Sequence, residues 1–123
     1  MSYTIRQVAT QFHMQPSTLR YYEDQGLLCN VERDDAGRRV YTDAHIGRLK
    51  AIACFKHAGM SIDELKRFFA YEKDERAHIA DMLELLESRH QAILKQRAAL
   101  EEAYMHVLRK LPLYRDIQHS IET

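Results

Sequence analysis

Apolar positions along the chain change their spacing several times, and each change marks a different kind of element. Ile5, Val8, Ala9 and Phe12 recur at helical intervals behind Thr4-Ile5-Arg6-Gln7. That order is a capping box: the Thr4 hydroxyl accepts from the third backbone N–H while Gln7 reaches back. The spacing predicts a helix over about Ile5–Phe12, then a turn at His13-Met14-Gln15. Pro16 suits the first position of a second helix, having no N–H to leave unsatisfied. Leu19 and Tyr22 then face the core, and Ser17, Thr18, Arg20 and Tyr21 take the other side. Gly26 is the stop residue after about Asp24-Gln25. Two short helices joined by a tight turn, the second polar and basic, predict a helix-turn-helix.

From Leu28 the helical interval is lost. Val31-Glu32-Arg33 and Arg39-Val40-Tyr41 flank Asp34-Asp35-Ala36-Gly37-Arg38, and Asp and Gly supply the turn. This predicts a two-stranded wing with Arg33, Arg38 and Arg39 on or near it, able to set guanidinium groups against phosphates or into a minor groove. Thr42-Asp43 signals the next helix start, and Ile46, Leu49, Ile52 and Ala53 carry that helix to about Ala58, with Gly59 ending it. Ser61-Ile62-Asp63-Glu64 is a second capping box, opening a helix with Ile62, Leu65, Phe68 and Phe69 on one face.

Beyond the charged bend Glu72-Lys73-Asp74-Glu75 there is no Gly or Pro before Pro112. Positions alternate by four and three through Ile79, Leu83, Leu86, His90, Ile93, Arg97, Leu100, Tyr104, Val107 and Leu111. That is a heptad seam, with polar interruptions at His90 and Arg97 that fix register at some loss of stability. A helix from Arg76 to Leu111 is roughly 54 Å long at 1.5 Å per residue. So long a stripe in so short a chain is most simply covered by a second copy; the alternative is a monomer whose helix folds back on the head. Pro112 is expected to end the helix, leaving Leu113–Ile117 to form one further turn over the partner or the head. The expected division is a head over 1–71, a dimerisation helix over 75–111 and a tail over 112–123.

Composition adds constraints. The chain has 123 residues, only 4 Gly and 2 Pro, and a net charge of zero, so length and the scarcity of breakers favour a mainly helical fold while the total charge carries no nucleic-acid signal. Residues 1–70 hold 10 Lys and Arg against 8 Asp and Glu, and residues 71–123 hold 8 against 10, so local clusters decide more than the sum. Cys29 and Cys54 are the two cysteines; their separation fits neither a structural metal site nor a disulfide framework, and two free thiols fit a reducing cytoplasm. No apolar run reaches the length of a membrane span, and the first residues lack a signal-peptide pattern, so a soluble, cytoplasmic protein is expected. There is no Gly-rich phosphate loop, nucleophile elbow or HExxH, which argues against an enzyme. No cofactor is expected. Histidines 78, 90 and 106 cannot meet within one chain, and solvated or seam roles suit them better than a metal site across a dimer.

Taken in order, Thr4-Ile5 with Val8-Ala9, then Thr18-Leu19-Arg20-Tyr21-Tyr22-Glu23, Gly26-Leu27-Leu28, Gly37-Arg38-Arg39, Tyr41-Thr42 and Ala58-Gly59-Met60-Ser61-Ile62 resemble the MerR family of bacterial transcription regulators. The resemblance covers about residues 3–71. It implies a winged helix-turn-helix head and an antiparallel coiled-coil dimer. The dimer would bind double-stranded DNA at a pseudo-palindromic operator inside a promoter with a long spacer. An effector would then distort that DNA for RNA polymerase. By position, Ser17, Thr18, Arg20 and Tyr21 match the recognition helix, Arg38, Arg39 and Tyr41 match the wing, and Thr4 and Arg33 join the DNA-facing set. Arg38 stands where the family more often has Tyr, adding a phosphate contact in place of a ring.

Alternatives stay open at single residues. Arg20 could pair with Glu23 or Asp24, Tyr21 and Tyr22 could pack in the core, and Arg38 and Arg39 could be a solvated turn. A coiled-coil adaptor would explain the long helix without the head motifs, and an excisionase-like architectural protein the head without the long helix. For the effector, paired cysteines beyond the long helix, an iron–sulfur cluster of cysteines and a large C-terminal ligand domain are all missing from this sequence. Cys54, in Ala53-Cys54-Phe55-Lys56-His57-Ala58-Gly59-Met60-Ser61, resembles the single cysteine of the branch that responds to aldehydes and related electrophiles. Lys56 and His57 are close enough in sequence to stabilise a thiolate, the reactive form. An inert cysteine packing as a small apolar residue is the equal alternative.

Overall fold

A computed structural model describes residues 1–123. Its elements run β1 (Ser2–Tyr3), α1 (Ile5–Gln11), α2 (Pro16–Asp24), β2 (Glu32–Arg33), β3 (Arg39–Thr42), α3 (Asp43–His57), α4 (Ile62–Tyr71), a 3₁₀ turn (Glu72–Asp74) and α5 (Glu75–Glu122). The chain is mainly helical, with one small antiparallel sheet.

The head is assembled by strong local signals at helix ends. Both expected capping boxes form: Thr4 Oγ1 accepts from Gln7 N at 3.1 Å, and Ser61 Oγ accepts from Glu64 N at 3.1 Å. The C-termini of α1, α2 and α3 close in one way. A residue with positive φ follows each C-cap, and the residue after it donates back to the last turn: Met14 to Ala9, Leu27 to Tyr22 and Met60 to Phe55. These paired returns are Schellman motifs, which satisfy carbonyls the helix leaves open. Gly26 and Gly59 fill the positive-φ position of α2 and α3, but α1 uses His13, at φ 53°. The residue after each stop is also an apolar anchor, since Leu27 and Met60 are buried.

One core unites the head: Val8 and Ala9 of α1, Leu19 and Tyr22 of α2, Tyr41 of β3, Ile46, Leu49 and Ile52 of α3, Leu65 and Phe68 of α4. Met82 and Leu85 of α5 complete it. Phe55, Phe68 and Phe69 add tilted and edge-on ring contacts with centroids 5.1–6.4 Å apart, geometry that suits aromatic quadrupoles.

The wing has three strands rather than two. Ser2 and Tyr3 pair antiparallel with Thr42 and Tyr41, giving the order β1-β3-β2. Tyr3 reinforces the join by donating from its hydroxyl to Asp43 Oδ1 at 2.7 Å. A two-residue strand carries no alternation of its own, which is why the pattern of residues did not announce it.

The long helix does not stop at Pro112; it runs 48 residues to Glu122, about 72 Å. Proline costs a helix one N–H and crowds the preceding turn, but its fixed φ is itself helical. Residues beyond it keep their own bonds, so the tail continues the rod. The one non-helical backbone in α5 lies at the other end, at His78 (φ −124°, ψ 16°), where the ring stacks on Tyr71 at 4.7 Å. The face of α5 that meets its own head carries Met82, Leu85 and the half-buried Arg89. Those positions lie one residue before Leu83, Leu86 and His90 of the heptad seam, so most of the seam stays outside the head's core.

Candidate nucleic-acid interface

Ser17 and Arg20 are exposed on α2 and Tyr21 is 44% exposed, while Leu19 and Tyr22 of the same helix are buried. Thr18 is half-buried beside them. The helix therefore divides as its sequence pattern predicts, and Tyr21 belongs to the open side and Tyr22 to the core. Arg20 makes no ion pair with Glu23 or Asp24; Glu23 pairs elsewhere. Thr4, at the start of α1, is exposed, with its oxygen engaged as the helix cap.

The wing turn is tied by one carboxylate. Asp34 Oδ1 accepts from Ala36 N at 3.0 Å and Arg38 N at 2.9 Å, and Oδ2 accepts from Arg38 Nε at 3.1 Å. These bonds, the Arg38 backbone N–H first, hold the Asp34 carboxyl below its ordinary range. Arg33 donates from Nη1 to Gly37 O at 2.9 Å across the same turn. Arg33 and Arg38 stay exposed, so both keep donors available for a phosphate.

Two wing residues are not where a DNA contact needs them. Tyr41 is fully buried, its ring edge-on to His45 at 5.7 Å. It is a core residue rather than a DNA-facing one, because β3 lies over α1 and α3 and its inward face falls on Arg39 and Tyr41. Burial pushes the Tyr41 hydroxyl up, Arg39, Arg20 and Arg33 pull it down, and Glu23 adds a smaller push up. Those arginines lie on α2 (Arg20), on the edge strand β2 (Arg33) and on the central strand β3 (Arg39). Arg39 is held within the chain, its Nε 2.6 Å from Glu23 Oε2, an ion pair that keeps the guanidinium more firmly protonated.

Behind the wing, His45 is buried and fully bonded: Nδ1 accepts from Thr42 N at 2.9 Å and Nε2 lies 2.8 Å from Cys29 O. With Nδ1 accepting, Nε2 carries the proton and donates to Cys29 O, the neutral tautomer that serves both partners. No sequence signal beyond its place three residues after a cap marked this residue.

Cys54 lies in the last turn of α3 and its side chain is exposed. Lys56 does not turn toward it; Nζ lies 3.4 Å from the Tyr22 hydroxyl. Two residues beyond the helix, the turn is gripped by α5: Arg89 Nη1 donates to Gly59 O at 3.1 Å. Glu64 is held below its ordinary range by the Ser61 N–H first, and also by Arg89 and Arg67. Arg89 therefore ties the long helix to the α3–α4 junction, a link that sequence spacing did not reveal.

Residues 3–72 match the family described as MerR HTH family regulatory protein, and residues 46–109 match MerR, DNA binding. The chain belongs to the MerR family. Among curated relatives it is 38% identical over 104 residues to the HTH-type transcriptional activator TipA of Streptomyces coelicolor, covering 84% of this chain and 41% of that one. It is 46% identical over 61 residues to the HTH-type transcriptional regulator AdhR of Bacillus subtilis, covering 50% and 44%. The chain thus spans less than half the length of either relative. A crystal structure of HiNmlR, a MerR family regulator lacking the sensor domain, bound to promoter DNA, superposes with TM-score 0.79 at 32% identity. That match covers 97% of this chain and 94% of the other.

Proposed function

We propose that this MerR family chain is a transcriptional regulator that binds double-stranded promoter DNA as a homodimer, reading each half-site with α2 and steadying it with the wing. The observation that carries the reading is the exposure of Ser17, Arg20 and Tyr21 on α2 and of Arg33 and Arg38 on the wing, with α2 and the wing tied together by the Glu23–Arg39 pair; half-buried Thr18 and exposed Thr4 complete the expected set. A helix of polar and aromatic residues enters a major groove, and flanking guanidiniums bind phosphates. The likeness to HiNmlR, whose structure holds promoter DNA, supports it.

Dimerisation is supported by α5. Ile79, Leu83, Leu86, Leu100, Tyr104, Val107 and Leu111 are exposed, and His90, Ile93 and Arg97 continue the same seam. A partner helix running antiparallel covers that stripe and sets the separation of the two readers. The effector reading places a small aldehyde or related electrophile at Cys54, supported by the partial likeness to AdhR and by the exposure of the thiol. RNA polymerase is the downstream partner in this scheme.

A salt titration of duplex binding tests the core of the reading. Affinity is expected to fall steeply with salt, and Arg20→Ala to weaken binding and flatten the slope by about one. A salt-independent interaction, or none, refutes it. For the effector, Cys54→Ala is expected to keep operator binding and lose induction by aldehydes in a reconstituted transcription assay; unchanged induction sinks that part alone.

A further inference from the structure

We propose that Glu23 is a positioning residue that fixes the spacing between the reading helix and the wing, acting through Arg39 rather than through DNA. The inference rests on the DNA-binding reading above. In the head, α2 packs chiefly on α1, and β3 packs on β1, β2, α1 and α3. The reader and the wing are therefore joined mainly through α1, not directly. The Glu23–Arg39 pair bridges them, 16 residues apart in sequence and 2.6 Å apart in space. Its two side chains are only 25% and 19% exposed, so the pair is shielded from the solvent and salt that weaken surface pairs.

Both ends of this strut are anchored. Glu23 lies in the last turn of α2, where its carbonyl accepts from Gly26 N at 3.0 Å within the Schellman return. Arg39 sits in β3 next but one to the fully buried Tyr41. Arg39 is also directly opposite Arg33 in the β2–β3 register, and like charges facing across a strand pair repel. The Glu23 carboxylate offsets that repulsion and lets the wing hold two arginines side by side. Arg20, three residues earlier on the same helix, makes no ion pair and faces outward.

The charge of Glu23 makes the proposal sharp. An acidic residue beside a DNA-binding face ordinarily repels phosphate, so its removal should raise affinity for any duplex. A strut predicts the opposite for the cognate site. The probe is a duplex enriched from a random library by the full-length wild-type protein, compared with a random duplex of equal length at one salt concentration. Glu23→Gln is expected to lower the ratio of the two affinities by about tenfold, the order of one mismatched base pair, with non-specific binding unchanged or tighter. Arg39→Gln should lower the ratio similarly, the double variant should be no worse than either, and the charge swap Glu23→Arg with Arg39→Glu should recover much of the loss.

Circular dichroism melting accompanies each variant. A ratio left unchanged by Glu23→Gln overturns the strut, as do additive effects of the two single changes. A lowered melting temperature with both affinities falling together also overturns it. Failure of the wild-type protein to enrich any duplex overturns the strut and the DNA-binding reading with it.

Discussion

Gly59→Ala should damage this molecule more than a single added methyl suggests. Gly59 holds φ +92°, a backbone region where an L side chain costs about 1–3 kcal/mol. A Cβ built there stands 2.8 Å from Arg89 Nη1, so the guanidinium must retreat. Retreat breaks its 3.1 Å bond to Gly59 O, and hydrogen bonds to charged groups are worth roughly 1.5–3 kcal/mol. Because Arg89 is half-buried and water can replace part of the bond, the lower half of that range applies. Together the two effects come to about 2.5–5 kcal/mol, a large share of the roughly 5–15 kcal/mol that stabilises a small domain. Urea unfolding at one fixed protein concentration measures it, since a self-associating chain links stability to concentration. The Arg89→Ala background separates the parts: there Gly59→Ala keeps only the backbone penalty, so the double variant falls short of additivity. A loss below about 1 kcal/mol for Gly59→Ala, or strict additivity with Arg89→Ala, refutes the account of Arg89 as the clamp between α5 and the α3–α4 turn.

Three further outcomes follow from local geometry. His13→Gly should stabilise the head by up to about 1 kcal/mol, because His13 occupies the left-handed position after α1 at φ 53°; an unchanged or lowered thermal midpoint contradicts this. Leu65→Ala, deleting a fully buried side chain of α4 in the head core, should cost about 2–5 kcal/mol in the same urea assay. The wing turn should loosen in acid. The folded Asp34 carboxyl is held below its ordinary range, so its stabilisation is complete above the unfolded value near pH 4 and fades as pH falls through the lower folded one. Amide exchange at Ala36 and Arg38 followed down in pH checks it, and protection that persists after the carboxylate has titrated contradicts it.

What was legible in the chain was what is decided within a few residues. Thr4 with Gln7, Ser61 with Glu64, Pro16, Gly26 and Gly59 mark helix ends by their own chemistry, and the structure places those ends within a residue of expectation. The division of α2 into Leu19 and Tyr22 against Ser17, Arg20 and Tyr21 followed from helical period alone. What escaped depends on distant pairing. Strand β1 exists because Tyr3 finds Tyr41 and Asp43 about forty residues on. Tyr41 could be placed on the wing but not on the inside of it, since strand alternation identifies two faces without saying which one meets the core. The pairing of Glu23 was likewise open, with Arg20 near in sequence and Arg39 near in space.

Pro112 shows a different limit, and it bears on function. Reading it as a stop confined the apolar seam to residues 79–111, but α5 continues with Leu113, Tyr114, Ile117 and Ile121 exposed. Apolar side chains on a helix that leaves its own head near residue 93 have no intrachain surface to cover them. In the proposed dimer, the same rod that places two α2 helices at a fixed separation thus carries contact surface beyond the seam read from the sequence. Arg89 and Gly59 join that rod to the turn after Cys54, and Glu23 with Arg39 joins α2 to the wing. Under the proposed function, control and reading would be mechanically separate: a change at the first joint would move whole heads relative to each other, while the second would preserve the spacing within each head.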